Sequence, residues 1–418
     1  MSSTFSIALS ALQAESEAIN TTGNNLANMN TNGFKGSNVS FKDMFGETLG
    51  ANSSFQVGLG VNVPISQTVF SQGPIQTSNS SYAAAIQGNG FFVLRGAQNE
   101  QLFTRDGNFT LDASGTLRTQ TGETVQGWTA GSAGLNTSGL PGDIILPTGA
   151  VLPPKTTQNL SVTANLNAAA TVGSADGSVQ APVQIIDSLG NQHSLTFNFT
   201  KTGANTWSYD VTIPGDDLAG GAAGTQQSIL ASPGTLTFDN AGNLTSASNP
   251  SPVTLNINNL ADGANNMSIN WSLFDTSGGG LFTQFAEKSS VSSAQDGTQS
   301  AQLSGIAIET GGQIIATFSN KQQKVLGQIA LATIQNPDSM SGVGNNNYAA
   351  TAKTAEPSIG VPQSGGRGQI QGGALEGSNV DMATQLTNLI VYQSAYQAAS
   401  RVITTANQMT QDLLNVVH

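Results

Sequence analysis

Apolar residues recur every three or four positions at both ends of the chain, and every second position through much of the stretch between. Near the start, Phe5, Leu12, Ile19 and Leu26 stand seven apart, with Ala8 and Leu9 on the adjoining turn. That spacing predicts an amphipathic helix over 4–29 with a narrow seam, the kind that pairs with a second helix. Gly23 lies inside it and should weaken it by about 1 kcal/mol relative to Ala. At the far end Leu389, Tyr392, Tyr396, Ala399, Ile403, Ala406, Leu413 and Val417 step by three and four, broken only at Thr410. No Gly or Pro follows Gly377, so one helix is expected from Asp381 to about Val416, roughly 50 Å long. Ser378 or Asn379 is the expected N-cap, and Asp381 suits the positive end of the helix dipole. Such a helix, with one seam, is marginal in water without a partner.

Between these ends the period falls to two. Leu195, Phe197 and Phe199 alternate with polar residues, 201–205 reads as a turn, and Trp207, Tyr209, Val211 and Ile213 alternate again. This predicts a hairpin with one buried face. Turn signals recur about every ten residues, among them 105–108, 112–115 and 121–123. Leu236 and Phe238 ahead of Asp239-Asn240-Ala241-Gly242-Asn243 predict another hairpin. The expected fold is therefore α+β, mainly β, with paired, coiled-coil-like terminal helices and two β-rich domains inserted between them. The divisions read as an N-terminal helix at 1–35, an extended linker at 36–79, and a β domain made of 80–150 plus 286–362. A second β domain fills 151–285, a Gly-rich flexible tether 363–378, and the C-terminal helix 379–418.

Charge changes this picture more than any other bulk property. Only 9% of the 418 residues are Asp, Glu, Lys or Arg, against roughly a quarter in an ordinary soluble chain. Partners must then be recognised through shape, apolar stripes and neutral hydrogen bonds. The net charge of −12, with no basic cluster, excludes a nucleic-acid binder, which needs cations to displace counterions. It equally disfavours electrostatic attachment to a membrane surface. Cysteine is absent, so there are no disulfides, Cys-ligated zinc or thiol nucleophiles. Residues 1–20 lack the cationic segment and long apolar run of a cleaved signal peptide, and no stretch reaches the roughly 18 apolar residues of a membrane span.

Catalytic chemistry is not legible. The two histidines, His193 beside a hairpin turn and His418, offer no metal-ligand spacing, and a Ser–His triad would have to use His193. Gly-Lys, required by a phosphate loop, does not occur. Gly58-Leu59-Gly60 and Gly88-Asn89-Gly90 lack the third Gly of a dinucleotide fingerprint and read as strand bends. Asp187 with Gly190-Asn191, and Asp239 to Asn243, carry calcium-like residue types but read as Asx turns. Asp216-Asp217 reads as a solvated turn. No active site, metal or cofactor is expected. The terminal stripes remain: two helices cannot dry both seams alone, and each Leu or Ile buried contributes about 1.5–3 kcal/mol, so neighbouring copies would complete the burial.

Specific motifs sharpen this. Asn24-Asn25-Leu26-Ala27-Asn28-Met29-Asn30-Thr31-Asn32-Gly33-Phe34-Lys35 resembles the signature of the flagellar rod, hook and hook-associated axial proteins. Residues 86–93, 103–109 and 115–128 are similar to the β domain of that family. Leu375-Glu376-Gly377-Ser378-Asn379-Val380-Asp381, followed by 386–390 and Ala395-Tyr396-Gln397, resembles its C-terminal helix. Ile185 to Asn191 leading into Leu195–Phe199 looks like the insert that hook proteins carry and the shorter rod proteins lack. Ala11 and Ala399 depart from the family pattern, where Gly and Asn are usual.

The resemblance implies a non-enzymatic, exported hook subunit whose terminal helices line a narrow channel while the β domains form layers outside them. A distal rod or hook–filament junction protein is the alternative. The implied assembly residues are Phe5, Leu12, Ile19, Leu26, Asn28, Thr31, Gly33, Phe34 and Lys35, with Asn379, Val380, Asp381, Leu389, Tyr392, Tyr396, Ile403, Ala406 and Leu413. The implied partners are further copies of the chain, a rod protein below and a junction protein above. A hook cap, a hook-length control protein and the flagellar export apparatus would act during assembly, with no nucleic acid and no membrane insertion.

Overall fold

The computed structural model describes residues 2–45, 58–131, 134–249 and 251–416, which form two compact units. One holds 1–148, 304–317 and 323–418; the other holds 149–303 with 318–322.

The first unit carries both helices, α1 (Ser2–Ala27) and α2 (Met382–Val416). Gly23 stays within α1, with open space around it. The two helices lie side by side. Asn25 near the end of α1 donates to Gln385 near the start of α2, so they run antiparallel. Beyond them an antiparallel sheet places strand Thr124–Thr129 between Gln323–Ile329 and Phe91–Arg95. Gln101–Thr104 and Asn347–Ala349 follow outward. Its core gathers Phe91, Val93, Phe103, Trp128, Ala330, Ala332 and Tyr348, with Phe70 edge-on to Phe91 at 5.4 Å and to Tyr348 at 5.1 Å.

Burial raises the Tyr348 phenol to about 12. The folded chain then keeps a proton that an unfolded tyrosine loses near pH 10, so stability should fall as pH rises from 10 to 12. The fall should reach at most about 2 kcal/mol. Alkaline unfolding curves check it, and Tyr348→Phe should reduce the dependence, leaving the part due to the Tyr209 phenol, which burial raises as well; an unchanged slope would refute it.

The Gly-rich stretch before α2 is not a flexible tether. Gln369–Gly372 pairs with Ala84–Gln87 and Ala374–Glu376 pairs with Ile75–Thr77, and Ile370, Ala374 and Glu376 are buried. The glycines serve close approach instead: a Cβ at Gly368 would collide with the Gln87 carbonyl, and one at Gly372 with that of Ile308. Within 36–79, short strands form rather than a bare linker, including Ser37–Ser40 antiparallel to Ile65–Thr68.

In the second unit the expected hairpin forms between Gln192–Gly203 and Thr206–Pro214, with Phe197 opposite Val211. Leu195, Phe197, Phe199, Trp207, Tyr209, Val211 and Ile213 are fully buried, as alternation requires. Ser178–Ile186, Gly234–Phe238 and Leu244–Ala247 extend this sheet. A second sheet orders Val253–Ile257, Met267–Ser272 and Asn159–Asn165, the last two parallel, with Ser290–Gln295 also on Asn159–Asn165. One core joins the two sheets around Trp271, which meets Phe197 at 4.9 Å and Tyr209 at 5.1 Å. The pairing of Ser290–Gln295 with Asn159–Asn165 moves the boundary expected at 285 to Leu303. Residues 286–303 therefore belong to the inserted unit and not to the one built from 80–150.

Asp239 accepts the N–H groups of Ala241 and Asn243, which confirms an Asx turn there. Lys201 is not in the turn: it is buried in the strand, donating to the Ala168 carbonyl at 2.6 Å over the Trp207 ring.

Candidate functional site

The two terminal motifs meet at the base of the helix pair. As α1 ends, Asn28 Nδ2 donates to the Asn24 carbonyl at 2.9 Å and Thr31 Oγ1 to Asn28 Oδ1 at 3.2 Å. Gly33 then turns the chain at φ +69°, where a Cβ would lie 2.5 Å from the Asp106 nitrogen. Only glycine combines that backbone region with that proximity. The turn aims Lys35 into the interior.

There Lys35 Nζ donates to Glu376 Oε1 at 2.6 Å and to the Ser71 carbonyl at 2.7 Å, with neither charged side chain exposed. The Gly73 N–H donates to the same carboxylate oxygen at 2.8 Å. Arg105 Nη1 approaches Glu376 Oε2 at 3.1 Å, its Nη2 donates to the Gly88 carbonyl at 2.9 Å, and its guanidinium lies 5.3 Å from the Phe91 ring centre. Burial lowers the Lys35 and Arg105 pKa values, and the Glu376 carboxylate works against that. One carboxylate thus ties together chain segments near 35, 73, 105 and 376.

Neutral hydrogen bonds finish the joint. Asn379 Oδ1 accepts from the Gly36 N–H at 2.8 Å, and its Nδ2 donates to the Val69 carbonyl at 2.7 Å. Asn25 exchanges two bonds with the backbone of Ser37, at 2.8 and 2.9 Å. Val380 sits half-buried, its Cγ2 in the position that leaves no room for a side chain at Gly36. The α2 N-cap is Asp381, not Ser378 or Asn379: its Oδ1 accepts the Thr384 N–H at 2.8 Å and the Thr384 hydroxyl at 2.6 Å.

The helix faces differ from the seams expected. On α1 the buried positions are Ala8, Ala14, Ala18, Thr21, Thr22 and Asn25. Phe5 is exposed, and Leu12, Ile19, Leu26 and, past the helix end, Phe34 are half-buried. Helix axes approach according to the size of the contacting side chains, so small residues face inward. Ser10 Oγ on this helix accepts the Val61 N–H from strand Gly58–Val61. On α2, Leu389, Tyr392, Ile403 and Ala406 are half-buried, and Tyr392 meets Phe41 with ring centres 6.0 Å apart. Tyr396 is exposed, and the Leu413 side chain and Val417 lie outside the described residues. Met382, Leu386, Ile390, Val391, Val402 and Met409 are exposed as well.

Sequence reading passed over Glu376, Arg105 and Asn25 as site residues. A signal existed for the first two: in a chain with 9% charged residues, a lone Lys, Arg or Glu inside an otherwise neutral motif has a structural reason to be there.

The two terminal helices are locked at one base and carry apolar residues that the fold leaves uncovered. The chain matches four family models. These are the flagella basal body rod protein at 5–35, the flagellar hook protein FlgE/F/G D1 domain at 85–185, the flagellar basal body protein FlaE D2 domain at 159–298, and the flagellar basal body rod FlgEFG protein C-terminal region at 371–416. It is 32% identical to the flagellar hook protein FlgE of Borreliella burgdorferi over 98% of each chain. It is 31% identical to that of Salmonella typhimurium over 99% of each. The crystal structure of Helicobacter pylori flagellar hook protein FlgE2 shares the fold over 71% of this chain and 99% of its own, at a TM-score of 0.50 and 14% identity. The chain belongs to the flagellar hook protein family, whose members are structural subunits of the hook.

Proposed function

We propose that copies of this chain join through the faces of α1 and α2 that the fold leaves uncovered, building a flexible curved tube that couples the rod to the filament. One observation carries the reading. α2 runs for 35 residues, yet none of its described side chains is fully buried. A helix of that length is held in water by a dry apolar face rather than by propensity, and neighbouring copies supply that cover. Few charges and many Asn, Gln, Ser and Thr suit interfaces that re-form as the tube bends, because neutral contacts are individually weak.

In this reading the tube meets a rod protein below and a hook–filament junction protein above. A hook cap and a hook-length control protein act while it grows. The chain leaves the cell through the flagellar export apparatus, and a chain without Cys carries no disulfide to obstruct passage. No helix among the described residues is long and apolar enough to cross a membrane.

Electron microscopy of a strain lacking the gene tests this. Rods without hooks or filaments are expected; intact hooks would overturn the proposal.

A further inference from the structure

At one end of the inserted unit, three carboxylates converge on its only histidine. Asp187 follows directly on strand Ser178–Ile186 and is fully buried; His193 is the second residue of the returning strand Gln192–Gly203 and is 5% exposed. His193 Nε2 lies 3.2 Å from Asp187 Oδ2 and 3.3 Å from Asp262 Oδ2, and its Nδ1 is 3.4 Å from Asp217 Oδ2. That Nδ1 is buried and makes no hydrogen bond. Among the described residues, no Lys or Arg pairs with these three carboxylates. Carboxyl groups gathered on one imidazole, one of them wholly removed from water, make a place that a cation would favour.

We propose that Asp187, His193 and Asp262 bind a divalent transition-metal ion of the zinc or manganese class. Ligands about 2.1 Å from one ion stand about 3.0 Å apart at neighbouring octahedral corners and about 3.4 Å apart at tetrahedral ones. The separations of 3.2 and 3.3 Å fall between these, and the three ligand atoms lie within 4.8 Å of one another. A nitrogen ligand beside two carboxylates selects a transition ion over calcium or magnesium, which take oxygen.

The surroundings suit the role. Asp187 Oδ1 is engaged by the Leu189 and Asn191 N–H groups, which fixes the carboxylate, while Oδ2 faces the site and meets the Asn191 amide nitrogen at 3.4 Å. Asp217 faces Nδ1, where accepting its proton would turn the Nε2 lone pair to the metal, as carboxylates do behind ligating histidines. Asn191 Nδ2 lies 2.9 Å from Asp262 Oδ2, so turning that amide over would offer an oxygen as a fourth ligand. The loops are already pinned: Ala261 N–H to the Asp217 carbonyl at 2.9 Å, Ala219 N–H to the Asn259 carbonyl at 2.7 Å, and Asn265 N–H to Ser188 Oγ at 2.9 Å. A bound ion would clamp them together. Residue spacing concealed the site because its ligands come from two hairpin strand ends and a loop some 70 residues on; the Asn191–Asp262 bond alone spans 71 positions.

The test uses the full chain, stripped with chelator and titrated with Co²⁺ for its visible ligand-field bands, then with Zn²⁺, Ca²⁺ and Mg²⁺ during thermal unfolding. One Co²⁺ per chain with nitrogen-containing ligation, and a raised unfolding temperature with Zn²⁺ but not Ca²⁺ or Mg²⁺, are expected. Asp262→Asn, at a partly exposed position, should keep the far-ultraviolet spectrum yet bind Co²⁺ more than about tenfold more weakly. His193→Gln should lose the nitrogen signature. No cobalt bands and no zinc shift in the parent chain would overturn the proposal. Equal binding by Asp262→Asn would overturn it too, and an equal shift with Ca²⁺ would refute the nitrogen-bearing site.

Discussion

Glu376→Ala should destabilise the folded helix-bearing unit by about 3–5 kcal/mol, the expected cost of removing one partner from a buried ion pair. Glu376 is 1% exposed and is the countercharge for both Lys35 and Arg105. Without it two buried cations face each other, and the Gly73 N–H loses its acceptor. Arg105 Nε already lacks a hydrogen-bond partner, so the guanidinium would keep only the Gly88 carbonyl and the Phe91 ring, neither of which carries a countercharge. The effect should read as a urea midpoint lower by about 1 M or more. Amide exchange should rise first at 33–37 and 373–381, where the joint is made. Replacing all three charges by apolar residues of similar volume (Lys35→Met, Arg105→Met, Glu376→Leu) should recover most of the loss, since buried ion pairs contribute little over well-packed apolar groups. A change under about 1 kcal/mol in the single variant would mean that water reaches the cluster.

Ile390→Glu with Val391→Glu should abolish polymerisation while leaving the monomer within about 0.5 kcal/mol of its parent. Both positions are more than half exposed, so the monomer has little packing there to lose, and Glu is a good helix former. In a polymer the same face would have to bury two unpaired carboxylates at every contact. Each 1.4 kcal/mol is about tenfold in association, and an unpaired buried charge exceeds that several times over. Sedimentation and negative-stain microscopy of the purified chain should show monomer only, with an unaltered circular dichroism spectrum. Tubes from the double variant would show that this face of α2 does not meet another subunit.

Local pattern carried the reading wherever a residue's environment repeats along the chain. The three–four steps of Leu389, Tyr392, Ile403 and Ala406 mark the side of α2 that is half-covered, and the alternation from Leu195 to Ile213 marks a hairpin face that is dry. It misjudged α1, because a seven-residue spacing selects the large apolar residues. The close approach of α2 and strand Gly58–Val61 instead puts Ala8, Ala14 and Ala18 inside. It misjudged 363–378 for a related reason: glycine spacing looks the same whether it serves flexibility or proximity, and only the strands at 75–77 and 84–87 distinguish the two.

By itself, then, the amino-acid order determined two terminal helices, a β-rich interior, an insert, and motifs that assign the family. These are properties of neighbours a few residues apart, and helix and strand periods express them directly. The tertiary structure alone decided which side of α1 is buried, where the insert ends, that Lys35 and Arg105 share Glu376, and that His193 gathers three carboxylates. Lys35 and Glu376 are 341 positions apart. Whether such groups meet depends on chain paths that no short-range pattern records, and a buried charge finds its partner only once those paths close.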